Sequence, residues 1–200
     1  PDKAPATWPE VFEAAKKLKA SGHSCPMTLA WMGWTQLESF STWHNIEFAT
    51  HQNGLGKDGF KARMKVNSPT HVRHIENLEK AAKAGEFVYK GRGSIPQASF
   101  VSGECAMIQT SSGFYGDVAK NAKFNYGISN LPYYPDVKGA PQNTVIGGGS
   151  LWVMAGKKNE DYKGVAKFFE FISQTKVQAA SHQRTGYLPV TMASFDLTEK

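Results

Sequence analysis

Apolar residues recur at Val11, Ala14, Ala15 and Leu18, the three-and-four spacing that lines one side of a helix. Thr7-Trp8-Pro9-Glu10 reads as the start of that helix, with Thr7 as N-cap, Glu10 closing a capping box and Pro9 in the first turn. Ser21-Gly22 ends it. The period then changes, and the short run at residues 25–30 predicts a strand. A Trp-rich segment follows from Trp31 to Trp43, with a second capping-box pattern at Thr35-Gln36-Leu37-Glu38; Trp43 is expected in the core. Residues 51–66 are polar and carry Gly54, Gly56 and Gly59, which predicts a surface loop. Val72, Ile75, Leu78 and Ala82 return to the helical period, with Gly85 in the C′ position, and predict a helix over 72–84 buried along that stripe.

Ser102-Gly103-Glu104 turns the chain into a predicted strand at 105–110, which Ser111-Ser112-Gly113 breaks before a short helix near Phe114. Residues 124–131, closed by Pro132, predict a further strand, and 161–172 and 176–184 two more helices. Strands alternating with helices predict an α/β architecture. There is no internal repeat.

The most informative run is Val145-Ile146-Gly147-Gly148-Gly149-Ser150-Leu151-Trp152-Val153-Met154. Three glycines separate two β-type segments, 144–146 and 151–154, and Trp152 is expected in the core. Glycine weakens a strand interior and is kept where backbone must approach something closely. Two readings stand: a bend between strands, or backbone offered to a ligand in a cleft. No helix pattern follows, so this is not a nucleotide-binding Gly loop.

Composition narrows the classes. A 40% hydrophobic and 20% charged chain of 200 residues is ordinary for a globular protein, with core enough for one large or two small domains. No apolar run approaches the roughly 20 residues needed to cross a bilayer. The chain opens on Pro1-Asp2-Lys3-Ala4-Pro5 without a basic-then-apolar leader, and we expect a piece of a longer protein. The net charge of +6 is spread over helix-like segments without base-stacking aromatics, so nucleic acid is not an expected partner, while a small anionic ligand is compatible. Cys25 and Cys105 lack a second ligand at zinc spacing; they are two buried thiols in a cytosolic protein or one disulfide in an exported one.

Ser111-Ser112-Gly113 at a strand-to-helix junction is either a helix cap or an anion site. Trp31 and Trp34, three apart, share a face and either pack in the core or stack on a sugar, a glycerol chain or a quaternary ammonium headgroup. Tyr187, between Gly186 and Leu188-Pro189, is either a packed surface aromatic or a hydroxyl aimed into a cleft. Enzyme chemistry is not expected: the six histidines show no triad or zinc-protease spacing, with His71 and His74 read as a solvated helix face. No carboxylate pair or phosphate loop is present. No metal or cofactor is implied.

Several phrases in order carry a resemblance: Thr7-Trp8-Pro9-Glu10, Gly103-Glu104-Cys105-Ala106-Met107, Phe124-Asn125-Tyr126-Gly127 with Leu131-Pro132, and Thr185-Gly186-Tyr187-Leu188-Pro189. Together they resemble the extracellular solute-binding proteins of ABC importers, in the branch that includes maltose-binding protein. Trp31-Met32-Gly33-Trp34-Thr35-Gln36-Leu37-Glu38 and the stretch from Ala140-Pro141-Gln142-Asn143 to Trp152 resemble those members that take glycerol-3-phosphate and glycerophosphodiesters such as glycerophosphocholine.

The resemblance implies a periplasmic-binding-protein-like (type II) α/β fold of two lobes. Residues 1–148 would form the second-lobe core, 149–186 a segment returning to the first lobe, and 187–200 a crossing back. It also implies a periplasmic, monomeric protein that hands an unaltered phosphorylated polyol to a membrane permease, with a neutral oligosaccharide or polyol as the alternative ligand. Carried over residue by residue, Trp31 and Trp34 would pack on the glycerol moiety and headgroup. Ser111 would bind ligand with Ser112 beside it, Gly148 would offer its backbone N–H, and Tyr187 would reach the phosphate. A Cys25–Cys105 disulfide is compatible with export.

Overall fold

The structure is a computed structural model and describes residues 3–146 and 149–198. It divides into two compact units, Pro1–Thr110 with Ala122–Ile146, and Ser111–Asn121 with Gly147–Lys200.

The larger unit begins with helix α1 (Trp8–Ala20). Thr7 Oγ1 accepts from the Glu10 amide while Glu10 Oε2 accepts from the amides of Thr7 and Ala6, at 2.9 and 2.8 Å, so the expected capping box is present. Trp8, Val11 and Ala15 form its buried stripe. The chain continues through strand β1 (Cys25–Leu29), a π-helical turn (Trp34–Glu38), and helices α2 (Ser39–Trp43), α3 (Thr50–Asn53), α4 (Pro69–Lys83) and α5 (Pro96–Val101) to strand β2 (Cys105–Gln109). β1 and β2 are parallel, in a register that sets Cys25 opposite Cys105 and Leu29 opposite Gln109. The facing cysteines are joined as a disulfide. Trp8, Val11 and Ala15 of α1, Met27 and Leu29 of β1, and Phe40, Leu78, Ala81, Phe87 and Tyr134 make one core.

Four expectations change here. Helix α4 forms, but it buries His71, His74, Leu78 and Ala81, leaving Val72 and Ile75 about half exposed. The two imidazoles turn inward because they join the aromatic core as flat rings: His74 stacks on Phe40 at 4.1 Å between centroids and meets Trp8 at 4.5 Å. The apolar stripe is therefore rolled by one position along the helix. Residues 35–38 do not cap a helix; Thr35 is buried inside the π-helical turn. Residues 124–131 form no strand: the backbone has no ladder partner there, and Phe124 anchors it edge-on against Phe100. Trp43 is only partly buried.

The smaller unit holds a 3-10 turn (Ser112–Phe114) and helices α6 (Tyr115–Asn121), α7 (Asn159–Ile172), α8 (Thr175–Thr185) and α9 (Met192–Asp196). Among its described residues Phe114, Val118, Ala179 and Ser194 are buried. Segments 144–146 and 151–154 form no strand, and Trp152, at 87% exposed, is not in a core. A β-type sequence becomes a strand only where another backbone edge receives its N–H and C=O groups. Gly147 and Gly148 lie outside the described residues.

Candidate ligand-binding site

The larger unit builds one surface around Trp31. Its φ of 54° places a bulky residue in the left-handed region, a conformation that costs about 1–2 kcal/mol and survives only where its surroundings fix it. The fixing groups can be followed atom by atom. The Trp31 amide donates to Gly93 O at 3.0 Å, and the Trp31 carbonyl accepts from the amides of Trp34 and Thr35, both at 2.9 Å. Thr35 Oγ1 bonds Ala30 O at 3.0 Å and Trp31 O at 3.3 Å. Gly93, itself at φ +57°, lies under the indole: a Cβ there would stand 3.6 Å from Trp31 Cζ3. The result is an indole 43% exposed on a rigid turn, with Trp34 partly buried one turn further on. A π-helical turn beside it is a rare form that occurs frequently at functional sites.

The smaller unit sets Tyr187 against the turn that Ser111 caps. Ser111 Oγ caps the 3-10 turn by accepting from the Gly113 amide at 3.2 Å, so the capping role does operate, and the hydroxyl proton stays available to donate. Gly186 ends α8 at φ +77°, where its Cβ would fall 2.2 Å from Ser112 O; only glycine lets the chain pass so close. The Tyr187 ring then lies over Gly113, where an added Cβ would be 2.6 Å from Tyr187 Cζ and 2.8 Å from its hydroxyl. Tyr187 is 52% exposed. Trp31 with Trp34, and Ser111 with Tyr187, are thus each assembled within one unit, while Gly148 lies outside the described residues. A cavity of about 220 Å³ in the larger unit, lined by Pro5, Trp43, Asn130, Leu131, Tyr133 and Pro141 among others, holds none of these side chains.

Beneath the Trp31 turn lies a polar cluster that the sequence did not reveal. His74 Nε2 donates to Gln36 Oε1 at 2.9 Å, since an amide oxygen can only accept, and Nδ1 faces the Tyr134 hydroxyl at 3.3 Å. Tyr134 in turn accepts from Asn77 Nδ2 at 3.0 Å. Gln36 Nε2 donates to Gln109 Oε1 and Thr35 Oγ1, both at 2.9 Å. His44 donates from Nδ1 to Phe40 O at 2.7 Å and accepts the Tyr134 amide at Nε2. Burial pushes His74 down to about 3, with His44, His71 and Arg73 adding to the effect, and burial also lowers His44 and His71. All three imidazoles are neutral at pH 7. The signal available was His71 and His74 at helical spacing and Gln36 in the Trp-rich segment, polar residues whose type gives no indication that they face inward.

Ser41 and His71 are 2.7 Å apart and have the look of a nucleophile and its base. The protons run the wrong way. Ser41 Oγ donates to Leu37 O, so it receives the His71 Nε2 proton, while His71 Nδ1 accepts from Ser68 at 2.7 Å. A base must take the hydroxyl proton, and both side chains are fully buried. Among the described residues no three His, Cys, Asp or Glu side chains gather to hold a metal, and no helix is long and apolar enough to cross a membrane.

A parallel β pair flanked by helices, with a Trp turn in one unit and a Ser–Tyr corner in the other, suits a protein that holds a solute. A model of the bacterial extracellular solute-binding protein family matches residues 1–200, and the chain belongs to that family. It is 52% identical over 200 residues to the sn-glycerol-3-phosphate-binding periplasmic protein UgpB of Rhizobium meliloti (strain 1021), and 47% identical to UgpB of Escherichia coli (strain K12). In each case all of this chain is covered and 45% of the relative, so the chain spans less than half the length of these proteins.

Among solved structures it is similar to UgpB from Mycobacterium tuberculosis in complex with glycerophosphocholine, with a TM-score of 0.70 at 18% identity over 98% of this chain and 47% of that one. It is also similar to the maltose/maltodextrin-binding domain MalE from Bdellovibrio bacteriovorus bound to maltotriose, with a TM-score of 0.69 at 15% identity over 97% and 50%. At these identities the likeness shows the fold, which is that of the periplasmic binding proteins. The protein is periplasmic, and a disulfide suits that oxidising compartment.

Proposed function

We propose that this protein captures sn-glycerol-3-phosphate or a glycerophosphodiester such as glycerophosphocholine, and delivers it unchanged to the membrane permease of an ABC importer. The observation that carries the reading is 46–52% identity across all 200 residues to relatives named for binding sn-glycerol-3-phosphate. The side chains have the chemistry for it. Hydroxyls of Ser111 and Tyr187 and the Gly148 amide would donate charge-assisted hydrogen bonds to the phosphate, and the Trp31 and Trp34 indoles would cover the glycerol carbons and any cationic headgroup. A buried donor left without its partner costs roughly 1–3 kcal/mol, which is how such a site would reject ligands lacking the phosphate. The protein acts as a monomer that makes and breaks no bond and needs no nucleic acid. Closure of two lobes over the ligand would be the signal read by the permease.

Calorimetry on the full-length protein tests this. Glycerol-3-phosphate or glycerophosphocholine should bind and maltose should not, and Trp31→Ala should weaken glycerophosphocholine binding by about 1–3 kcal/mol. Tight maltose binding without a response to either phosphate would overturn the reading in favour of a neutral sugar. Unchanged affinity in Trp31→Ala would remove that indole from the site.

A further inference from the structure

We infer that His74, Gln36 and Thr35 form a positioning relay that holds the Trp31 turn from below and so sets the placement of the ligand-facing indole. The inference rests on the proposed role of Trp31. Its geometric basis is independent of any ligand. Trp31 stands at φ 54°, a backbone state that an indole-bearing residue does not hold unaided. The relay closes on the residue just before it from both sides: Ala30 N donates to Gln109 O at 3.0 Å, and Ala30 O accepts from Thr35 Oγ1 at 3.0 Å. Gln36 is the hub that ties these two clamps together, donating to Gln109 Oε1 on β2 and to Thr35 Oγ1 on the turn.

Each hub atom is oriented by the next. Gln36 can point its NH2 toward Thr35 and Gln109 only while its oxygen has a donor, and that donor is His74 Nε2–H on α4. His74 is held in turn by the Tyr134 hydroxyl and by stacking on Phe40. Thr35, Gln36 and His74 are all essentially buried, so no water stands ready to substitute for a lost partner. The groups that face His74 are His44 just past the end of α2, His71 and Arg73 on its own helix, and Tyr134, with Asp136 paired to Arg73. None is an anion in contact with the ring, so the neutral imidazole with its proton on Nε2 is the form the relay uses. Surrounding groups that lock the rotamer of a binding residue are what separate a precise site from a loose one.

The test uses full-length protein labelled with 5-fluorotryptophan, the Trp31 resonance being assigned by its loss in Trp31→Phe. Thr35→Val removes one hydroxyl at nearly constant shape, and His74→Leu removes the donor to Gln36. Both should shift or split the Trp31 fluorine resonance in the absence of ligand while leaving that of Trp152 in place. His74→Gln keeps an amide donor and should recover most of the wild-type position. In calorimetry with glycerophosphocholine, Thr35→Val should raise Kd about tenfold, and in a Trp31→Ala background it should add nothing further.

An unmoved Trp31 resonance in Thr35→Val, or an equal loss of affinity with and without Trp31, would overturn the relay. Should His74→Leu fail to fold, Thr35→Val carries the test alone. Should wild type bind neither glycerol-3-phosphate nor glycerophosphocholine, the proposed function falls, and the fluorine resonance still decides the relay.

Discussion

Mild acid should loosen this protein through His74, and the size of the effect follows from its burial. The imidazole is fully enclosed, and burial, helped by His44, His71 and Arg73, brings it from an ordinary 6.5 to about 3 in the folded state. The unfolded chain therefore takes up a proton as pH falls through 6.5, and the folded chain does not until about 3. Stability is complete above 6.5 and declines below it by about 1.4 kcal/mol per pH unit. At pH 5.0 the loss from His74 alone is about 2 kcal/mol, and His44 and His71, both lowered, act in the same direction. Carboxylates held low by their partners (Glu10, Glu79, Glu104 and Asp136) lose their contribution only as pH falls below their ordinary 3.8–4.5, outside the window. Denaturant unfolding of full-length wild type and His74→Gln at pH 7.5 and 5.0 isolates the term. The pH dependence should be smaller in the variant by about 2 kcal/mol. Identical pH dependence in the two proteins would refute a neutral, proton-refusing His74.

Two further outcomes follow from the geometry. Gly113→Ala puts a methyl group 2.6 Å from Tyr187 Cζ, so the ring must move. Glycerol-3-phosphate affinity should fall roughly tenfold, the ~1.4 kcal/mol of one hydrogen bond, and an unaltered calorimetric Kd would take Tyr187 out of the ligand set. Reducing the Cys25–Cys105 disulfide, which spans 80 residues, should lower the unfolding free energy by about 4 kcal/mol. A thermal midpoint that does not respond to a phosphine reductant would contradict this.

Local signals were legible where one segment carries its own answer. The capping box of α1 and the burial of Val11 and Ala15 are set by neighbouring residues and appear in the structure as read, with Trp8 joining that side in place of Ala14 and Leu18. Strands β1 and β2 were legible too, because each is a short apolar run between turn residues. The same reasoning failed at residues 124–131 and 151–154, which have the composition of strands but no edge to pair with among the described residues. Trp31 and Trp34, Ser111 and Tyr187 were selected as residue types at suggestive positions; the left-handed turn under Trp31 and the passage of Gly186 past Ser112 give two of them a definite setting.

By itself the chain's order of residues determined where α1 begins, the strand character of the runs that become β1 and β2, and the family to which the chain belongs, because periodicity, caps and turns act over a few residues; which runs pair was left to the tertiary structure. Which face of α4 turns inward, which way Gln36 points, and how a Trp comes to stand in a left-handed turn were decided only by the packed structure. An imidazole is as content in water as in a core until Phe40, Trp8, Tyr134 and Gln36, from four other parts of the chain, surround it with flat rings and supply its hydrogen bonds.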